Sequence, residues 1–344
     1  MTENRYVSTE TPFKCALPAG QVATRPRTVA VVIPSYKVTR HILSVIERIG
    51  PECSVIYVVD DKCPERSGEL VTQSCKDPRV RVLFREANGG VGAAVITGYR
   101  QALADGVDIV VKIDGDGQMD PALITRFLAP IASGEADYTK GNRFYYLKSV
   151  AGMPRMRILG NAGLSFLTKL STGYWNIFDP TNGYTAIHRD VLAVMDLEKI
   201  SCRYFFETDL LFRLNLAHGV VVDVPMDAKY ADEVSNLKIS KVFFEFLGKH
   251  IRNFTKRIFY NYFLRDMSAA SLELLFGVSL MLFGILFSAY HWIHSGNLHM
   301  TTPAGTVIIG ALALLSGLQL LIAFVTHDVE SQPRRPIQRS NVGS

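Results

Sequence analysis

Two long apolar segments near the C-terminus place the strongest constraint on how this 344-residue chain can fold. Leu274–His294 and Pro303–Thr326 contain no Asp, Glu, Lys or Arg. An α-helix rises about 1.5 Å per residue, so about 20 residues cross the roughly 30 Å hydrocarbon core of a bilayer. Charge-free runs of this length are rare in the core of a globular domain. The two segments therefore predict a pair of membrane-spanning helices.

Basic residues flank the two apolar segments but are absent from the linker between them, Ser295–Thr302. The flanking basic residues are Lys249, Arg252, Lys256, Arg257, Arg265, Arg334, Arg335 and Arg339. Because Lys and Arg are enriched in cytoplasmic loops, this distribution predicts a hairpin with both outer ends in the cytoplasm. We expect a multi-pass protein of the cell (inner, cytoplasmic) membrane whose N-terminal part lies on the cytoplasmic face.

The region before the apolar segments alternates strand-like and helix-like patterns. Strand-like runs occur at Val29–Ile33, Ser54–Val59, Arg79–Phe84 and Val107–Ile113, the first of them β-branched and apolar, with helical spacing between them. Such alternation predicts βαβ units, that is, an α/β fold of the Rossmann type with a mostly parallel sheet flanked by helices. Ligands of such sheets bind at the carboxyl ends of the strands.

Polar clusters follow each of these four strands, at the edge where a ligand would bind. They are Pro34-Ser-Tyr36, Asp60-Asp61, Asn88-Gly-Gly and Asp114-Gly-Asp116. In the last cluster, with Asp120 close behind, carboxylates crowd the end of a buried strand and repel one another unless a cation joins them. Mg²⁺ and Mn²⁺ prefer such oxygen ligands, so this loop predicts a divalent metal site.

Seven motifs occur in a fixed order along the same region: VVIPSY, VVDD, NGGVGAA, DGDGQ, GNR, DPTNGY and EVSNLK. With these motifs, the region from Thr28 to Lys241 resembles the family 2 glycosyltransferases of the GT-A fold. It is most similar to the polyprenyl-phosphate glycosyltransferases, which include dolichol-phosphate mannose synthase and the bacterial undecaprenyl-phosphate enzymes. The resemblance implies a nucleotide-sugar donor, a polyprenyl phosphate acceptor, a membrane location, and Mg²⁺ or Mn²⁺ as cofactor.

The resemblance also implies which residues bind the donor. The positions that match its nucleoside pocket are Pro34, Tyr36, Asp60 and Asp61, and those beside the ribose or diphosphate are Asn88 and Gly89. The positions that match its metal and donor-phosphate cluster are Asp114, Asp116 and Gln118. Asp116 is the expected direct metal ligand.

For the acceptor, the matching positions are Arg143, Arg157 and Asn161. Ser235 and Lys238 match a mobile loop that closes over the diphosphate, where Lys238 would contact the donor and Ser235 would lie beside the acceptor phosphate. The resemblance thus places the acceptor residues opposite the metal cluster.

Three short stretches depart from the family pattern. Where the family follows its first Pro-x-Tyr with Asn-Glu, this chain has Lys37 and Val38, which removes any contact from that Glu to the base. The second strand ends in DDKCPE rather than Asp-Asp-Gly-Ser, and the aspartate motif is Asp-Gly-Asp rather than Asp-Ala-Asp. We expect uridine to be favoured over guanosine as the base.

The implied acceptor determines the expected mechanism. A phosphate monoester is largely a dianion at pH 7 and needs little help from a general base. We therefore expect direct displacement at the anomeric carbon with inversion, with Arg143 and Arg157 clamping the incoming phosphate. Glu207 and Asp209 lie where transferases with hydroxyl acceptors need a carboxylate base, and here we expect them to have a structural or positioning role.

The chain is expected to contain five regions. They are a polar N-terminal tail (1–27) without the apolar stretch of a signal peptide, a GT-A catalytic domain (28–238), amphipathic juxtamembrane helices (239–266), two transmembrane helices (267–328) and a basic cytoplasmic tail (329–344). Basic and aromatic residues at helical intervals over Ile239–Arg265 indicate a helix lying in the membrane interface. Two spans per chain are also compatible with a homo-oligomer.

Other interpretations have less support. A processive polysaccharide synthase with a hydroxyl acceptor would need a Gln-x-x-Arg-Trp motif, and neither Trp175 nor Trp292 lies in one. A non-catalytic nucleotide-binding membrane module stays open because of the Lys37-Val38 departure. GGVGAA lacks the third small residue of a dinucleotide-binding loop, and the five scattered cysteines suit neither a zinc site nor a disulfide framework. Basic residues concentrated beside the membrane give no support to nucleic-acid binding.

Overall fold

The computed structural model describes residues 27–145, 155–227 and 239–340, and only the backbone of 155–157, 239–243 and 340. Seven strands form one sheet: Val29–Ser35 (β1), Val55–Asp60 (β2), Val80–Phe84 (β3), Ile109–Lys112 (β4), Tyr138–Asn142 (β5), Thr185–His188 (β6) and Val221–Pro225 (β7). Their order across the sheet is β3-β2-β1-β4-β6-β5-β7. The pairs β1–β2, β1–β4, β2–β3 and β5–β7 are parallel, which confirms the mostly parallel α/β sheet expected from the sequence.

The described helices flank the sheet and continue beyond it. They are Ile42–Glu47 (α1), Ser67–Ser74 (α2), Val91–Ala104 (α3), Ile124–Ala132 (α4), Arg155–Thr172 (α5), Arg189–Val194 (α6), Phe206–Leu216 (α7), Ile239–Phe259 (α8), Ala269–Asn297 (α9), Ala304–Glu330 (α10) and Ile337–Ser340 (α11). A π-helical turn, Tyr260–Arg265, follows α8.

Strand β1 shows why the sheet is covered on both faces. Ala30 and Val32 belong to one apolar cluster, together with residues of α3 and α7. Val29, Val31 and Ile33 belong to a second cluster, with residues of α1 and α4. Successive side chains of a strand point to opposite faces, so a strand buried on both sides reads as a continuous apolar run. This is the pattern from which the sequence predicted the strand.

Strand β6 was not predicted from the sequence. Its four residues, Thr185–His188, run antiparallel to both β4 and β5. The run is short and follows a polar loop, so its own hydrophobic pattern is weak. Because β6 is reversed, the loop that precedes it lies at the same edge as the carboxyl ends of β4 and β5.

Helices α9 and α10 form an antiparallel hairpin. They have 29 and 27 residues and mean hydropathies of 2.1 and 2.4, so by length and composition each could cross a membrane. Glycines let the two backbones approach closely: a Cβ atom on Gly317 would lie 2.8 Å from the backbone N of Met281, and one on Gly284 would lie 2.8 Å from Leu314 Cγ. Small residues at such contacts are typical of helices that pack within lipid.

The segment after the hairpin returns to the sheet domain. Helix α11 packs beside α6, and the backbone N–H groups of Ile337 and Gln338 donate to the buried carboxylate of Asp137, at 2.9 and 3.2 Å. Asp137 directly precedes β5. Before the hairpin, Arg265 Nη2 donates to the backbone O of Leu216, the last residue of α7, at 2.7 Å, so both outer ends of the hairpin lie on the side of the sheet domain.

Candidate active site

Asp60, at the end of β2, organises the loop that leads to α2. Its carboxylate is buried and accepts hydrogen bonds from the backbone N–H groups of Cys63 at 2.7 Å and Gly68 at 2.6 Å. These contacts fix the start of α2 and give Asp60 a structural role in the loop. Its predicted contact with the nucleoside stays a prediction.

Asp61 organises the glycine-rich loop after β3. Its two carboxylate oxygens accept from the backbone N–H groups of Gly89 at 3.0 Å and Gly90 at 2.7 Å. Arg85 Nε lies 3.1 Å from the same carboxylate. Gly90 has a φ of 91°, which favours glycine at the point where α3 begins. Asp61 thus joins the ends of β2 and β3, and Asn88 lies exposed beside this junction.

The turn after β1 accommodates the departure from the family pattern. Lys37 adopts the left-handed region at a φ of 58°, where Asn is the more common residue. Its backbone N–H donates to Cys63 Sγ at 3.0 Å, and its ammonium lies 5.6 Å from the ring centroid of the exposed Tyr36. The turn therefore adds a cation beside an exposed ring, next to the strand that ends with Pro34 and Ser35.

A buried lysine lies beside the first aspartate of the metal motif. Lys112 is only 1% exposed, and its Nζ is 2.8 Å from Asp114 Oδ1 and 3.6 Å from Glu207 Oε1. Burial alone would lower the pKa of this ammonium, but the carboxylates of Asp114 and Glu207 outweigh burial and raise the pKa to about 12. Lys112, the last residue of β4, therefore supplies part of the positive charge that the crowded carboxylates require.

The aspartate loop also carries Asp116 and Gln118, both partly exposed. The Gln118 backbone N–H donates to Asp116 Oδ1 at 2.9 Å. Within 27–145, 155–227 and 239–340, no group of three His, Cys, Asp or Glu side chains is gathered around one point. Mg²⁺ usually takes one or two carboxylates and completes its shell with substrate phosphates and water, so this oxygen donor set fits a divalent cation. Asp114 faces Lys112, and the role of direct ligand expected for Asp116 stays a prediction.

Arg143, directly after β5, is held by Asp179. Arg143 Nε and Nη2 donate to the two oxygens of Asp179 at 2.7 and 2.9 Å, and Nη2 also lies 3.2 Å from Thr181 Oγ1. Asp179 is fully buried. The contact of Arg143 with the acceptor stays a prediction.

The loop 179–183 contacts both the predicted donor residues and the predicted acceptor residues. Asp179, at its start, holds Arg143, whereas Gly183, at its end, lies against the Lys112–Asp114 ion pair. A Cβ atom at Gly183 would lie 2.1 Å from Lys112 Nζ and 2.8 Å from Asp114 Oδ2, so only glycine fits without displacing the pair. The loop 179–183 thus brings the predicted donor and acceptor residues to one edge of the sheet.

A second buried lysine, Lys140, forms a hydrogen bond with this loop. Thr185 of β6 pairs with Lys112 on one side and with Lys140 on the other, so the two lysines project from the same face of the sheet. Lys140 donates to the backbone O of Asn182 and forms no ion pair with any carboxylate that the structure describes. Burial lowers its pKa to about 8, despite the nearby carboxylate of Glu207. The two lysines differ because only Lys112 has carboxylates in direct contact.

Asp209 connects α7 to the juxtamembrane helix. It is fully buried, and its carboxylate accepts from the Ser201 backbone N–H at 2.8 Å and from Asn253 Nδ2 of α8 at 3.0 Å. Glu207, on the same helix, is paired with Lys112. These contacts agree with the positioning roles expected for both carboxylates.

Of the four remaining predicted residues, only Asn161 has a described side chain. Asn161 lies on α5, partly exposed, and none of the other described site residues forms a hydrogen bond with it. Ser235 and Lys238 lie outside the described residues, as does the side chain of Arg157, so their roles remain predictions.

The sequence analysis missed Lys112, Lys140, Asp179 and Gly183. Asp179 and Gly183 belong to the DPTNGY motif, to which no individual roles were assigned. The signal for Lys112 was a charged residue inside the otherwise apolar run VVKI, since a buried charge requires a partner.

Residues 30–195 match the model of the family described as Glycosyl transferase family 2. The undecaprenyl-phosphate mannosyltransferase of Micrococcus luteus is 32% identical over 203 residues, which cover 58% of this chain and 82% of that protein. The polyprenol monophosphomannose synthase of Mycolicibacterium smegmatis is 31% identical over 201 residues, which cover 57% of this chain and 75% of that protein.

Among solved structures, glucosyl-3-phosphoglycerate synthase from Mycobacterium tuberculosis, in complex with Mn²⁺, uridine diphosphate and glucosyl-3-phosphoglycerate, is similar with a TM-score of 0.49 at 20% identity. The similarity covers 70% of this chain and 82% of that one. The two bacterial relatives match over most of their own length, in agreement with the seven ordered motifs. The chain therefore belongs to glycosyl transferase family 2.

Proposed function

We propose that the protein is a membrane-anchored, inverting glycosyltransferase that moves a sugar from a nucleotide-sugar to a polyprenyl phosphate, giving a polyprenyl-phospho-sugar. A UDP-sugar is the favoured donor and GDP-mannose the second candidate; the acceptor is undecaprenyl or dolichyl phosphate. The names of the two bacterial relatives refer to mannose and to a polyprenol or its phosphate, which supports this acceptor class.

The observation that carries the proposal is that the loop 179–183 contacts both the predicted donor residues and the predicted acceptor residues. The loop 179–183 packs against Asp114 at one end and holds Arg143 at the other. Two anionic substrates repel each other when they lie side by side, so such a site needs fixed positive charge. Lys112, Lys140 and Arg143 lie along this loop. Asp114 and Glu207 offset the charge of Lys112, and Asp179 offsets that of Arg143, so a divalent cation would have to supply the rest.

The expected chemistry needs no general base. An oxygen of the dianionic lipid phosphate attacks the anomeric carbon, the bond from that carbon to the nucleoside diphosphate breaks, and the configuration inverts. Glu207 is already paired with Lys112, which is consistent with a positioning role. A divalent cation, Mg²⁺ or Mn²⁺, held by Asp116 with Asp114 and Gln118, would neutralise the leaving diphosphate.

The proposed location is the cell membrane, with the catalytic domain (28–238) on the cytoplasmic face. Helices α9 and α10 would span the bilayer, and residues 239–266 would lie in its interface. Large apolar side chains are exposed on α5 and α8, among them Leu159, Phe166, Ile251 and Phe259. Exposed apolar side chains beside basic residues are typical of helices that lie on a membrane surface.

The decisive experiment offers the full-length protein a panel of labelled UDP-, GDP- and dTDP-sugars with undecaprenyl phosphate and Mg²⁺ or Mn²⁺. We expect label from one donor to enter the lipid phase only when the polyprenyl phosphate is present, and EDTA to abolish the transfer. Free nucleoside diphosphate without labelled lipid, or full transfer in EDTA, would contradict the proposal.

A further inference from the structure

A buried carboxylate, that of Asp328, joins the end of the second apolar helix to the rest of the protein. Asp328 is buried and accepts two hydrogen bonds from Arg257, Nη1 to Oδ1 at 2.5 Å and Nη2 to Oδ2 at 3.0 Å. It also accepts from the Tyr262 hydroxyl at 2.7 Å and from Trp175 Nε1 at 3.0 Å. Residues from α8, from the π-helical turn and from the loop after α5 thus meet at one side chain of α10.

Arg257 was counted among the basic residues that flank the spans, but the structure buries it. Its side chain is 2% exposed, and Nη2 also donates to the backbone O of Leu170 at 2.9 Å. A Cβ atom at Gly173, whose φ is 79°, would lie 2.8 Å from Arg257 Nη1. A buried guanidinium is tolerated only with a well-placed partner. Arg257 therefore serves this junction and does not face lipid headgroups.

The junction holds the beginning of the segment that leads to the acceptor residues. Asp328 binds Trp175, and Gln332 Oε1 accepts from the backbone N–H of the next residue, Asn176, at 3.2 Å. Three residues further along, Asp179 holds the guanidinium of Arg143. Two residues at the end of α10 and just beyond it thus fix the start of a five-residue segment whose last side chain orients Arg143.

We propose that Asp328 is a positioning residue for the acceptor end of the site. By holding Trp175, it fixes the course of segment 175–179 and with it the Asp179–Arg143 pair. The apolar hairpin is then a structural part of the acceptor site as well as an anchor. This inference rests on the proposed function, because it assigns Arg143 to the lipid phosphate.

Asp328 offers two matched variants, one for each side of the junction. Trp175→Phe removes the N–H donor on the catalytic side and keeps a ring against Phe166, whose centroid is 6.2 Å away. Tyr262→Phe removes the hydroxyl donor on the membrane side and keeps the ring contact with Phe324, at 5.0 Å. Each variant removes one hydrogen bond to the same carboxylate, but only the first lies on the segment that reaches Asp179.

Initial rates of the full chain, measured against polyprenyl phosphate and against the nucleotide-sugar separately, test the proposal. We expect Trp175→Phe and Asp328→Asn to raise the KM for the lipid phosphate about tenfold, the size expected when a charge-assisted contact is weakened, and to leave the KM for the donor unchanged. Tyr262→Phe should leave both KM values unchanged. Equal changes in both KM values, or a change with Tyr262→Phe as large as that with Trp175→Phe, would show a general structural role and overturn the inference.

A second readout does not depend on activity. The chain has two tryptophans, so Trp292→Phe leaves Trp175 as the single tryptophan, which is excited selectively at wavelengths that tyrosine does not absorb. In that background we expect Asp328→Asn to shift the emission maximum of Trp175, and Tyr262→Phe not to. Absence of a shift with Asp328→Asn would contradict the contact between Asp328 and Trp175.

A wild-type protein that transfers no sugar to polyprenyl phosphate would overturn the proposed function and this inference together. Normal transfer with an unchanged acceptor KM in both Trp175→Phe and Asp328→Asn would overturn the inference alone.

Discussion

Lys112 and Asp114, two residues apart on the same strand end, form an ion pair of 2.8 Å beneath the aspartate loop. The lysine is buried, and it also lies 3.6 Å from Glu207 on α7. The pair gives the two aspartates of the motif different surroundings. Asp114 is paired with Lys112, whereas Asp116 accepts from the Gln118 backbone N–H on the loop beyond it, where we propose that the donor diphosphate and its cation bind.

The different positions of Asp116 and Glu207 predict that removing their carboxylates lowers kcat/KM by different factors. We expect Asp116→Ala to lower kcat/KM by roughly a thousandfold or more, because the stabilisation of the leaving diphosphate is lost. Glu207→Gln should lower it by less than about tenfold, because Lys112 keeps its closer partner Asp114, at 2.8 Å, whereas Glu207 lies 3.6 Å away. Steady-state kinetics with saturating metal provide the comparison. Equal losses would favour general-base chemistry and a hydroxyl acceptor.

Gly183 is predicted to be intolerant of even a methyl group. In Gly183→Ala, the new Cβ would lie 2.1 Å from Lys112 Nζ, so the buried ion pair must move away from the loop. We expect kcat/KM to fall about a hundredfold, because small displacements of catalytic groups have effects of this size. The thermal unfolding midpoint of Gly183→Ala should stay close to that of the wild type.

The matched control for this glycine is Gly163→Ala in α5. Nothing lies within 4 Å of a Cβ atom at Gly163, and alanine favours the helix. This variant should keep wild-type kinetics and equal or higher stability. Similar kinetics for both alanine variants would disprove the close approach at Gly183.

The lowered pKa of Lys140 predicts that its contribution to the stability of the protein rises with pH. Burial lowers its folded-state pKa to about 8, whereas a lysine in the unfolded chain titrates near 10.4. Between these pH values the unfolded state binds more protons, so the contribution of Lys140 to stability rises with pH; below pH 8 it is a constant penalty. We therefore expect Lys140→Met to raise the free energy of unfolding at pH 7 by about 2 kcal/mol, after subtraction of the lost hydrogen bond to Asn182.

Denaturant unfolding of Lys140→Met and wild type at pH 7 and pH 10 measures this difference. The advantage of the methionine variant should shrink as the pH rises, because wild-type Lys140 loses its proton in the folded state. A difference that is the same at both pH values would show that Lys140 has an ordinary pKa in the folded protein.

The hairpin glycines predict a steric requirement in the apolar region. Gly317→Ala places a Cβ atom 2.8 Å from the backbone N of Met281, so the two helices must separate slightly. We expect a loss of about 1–3 kcal/mol in the stability of the detergent-solubilised protein, the usual cost of overpacking. Gly305→Ala on the same helix, where nothing lies within 4 Å, is the control and should change stability little. Equal midpoints of thermal unfolding for the two variants would contradict the close packing.

The sequence by itself determined the elements whose signal is local. Strands β1, β2 and β4 were predicted from mostly apolar runs, because strands buried on both faces need apolar side chains at nearly every position. The hairpin was predicted from its length and lack of charge, and the polar residues at the strand ends from their positions after those runs. Each of these inferences needs only neighbouring residues, since periodicity and burial act over a few positions.

Only the tertiary structure decided which polar side chains meet. Arg143 and Asp179 are 36 residues apart, Glu207 approaches Lys112 from a distant helix, and Arg257 is 71 residues from Asp328. The short reversed strand β6 positions the loop that connects the two halves of the site, and its four residues carry little hydrophobic signal of their own. A buried charge must find a partner, but its spacing in the chain does not specify which one, because that choice is made by how the strands and helices pack.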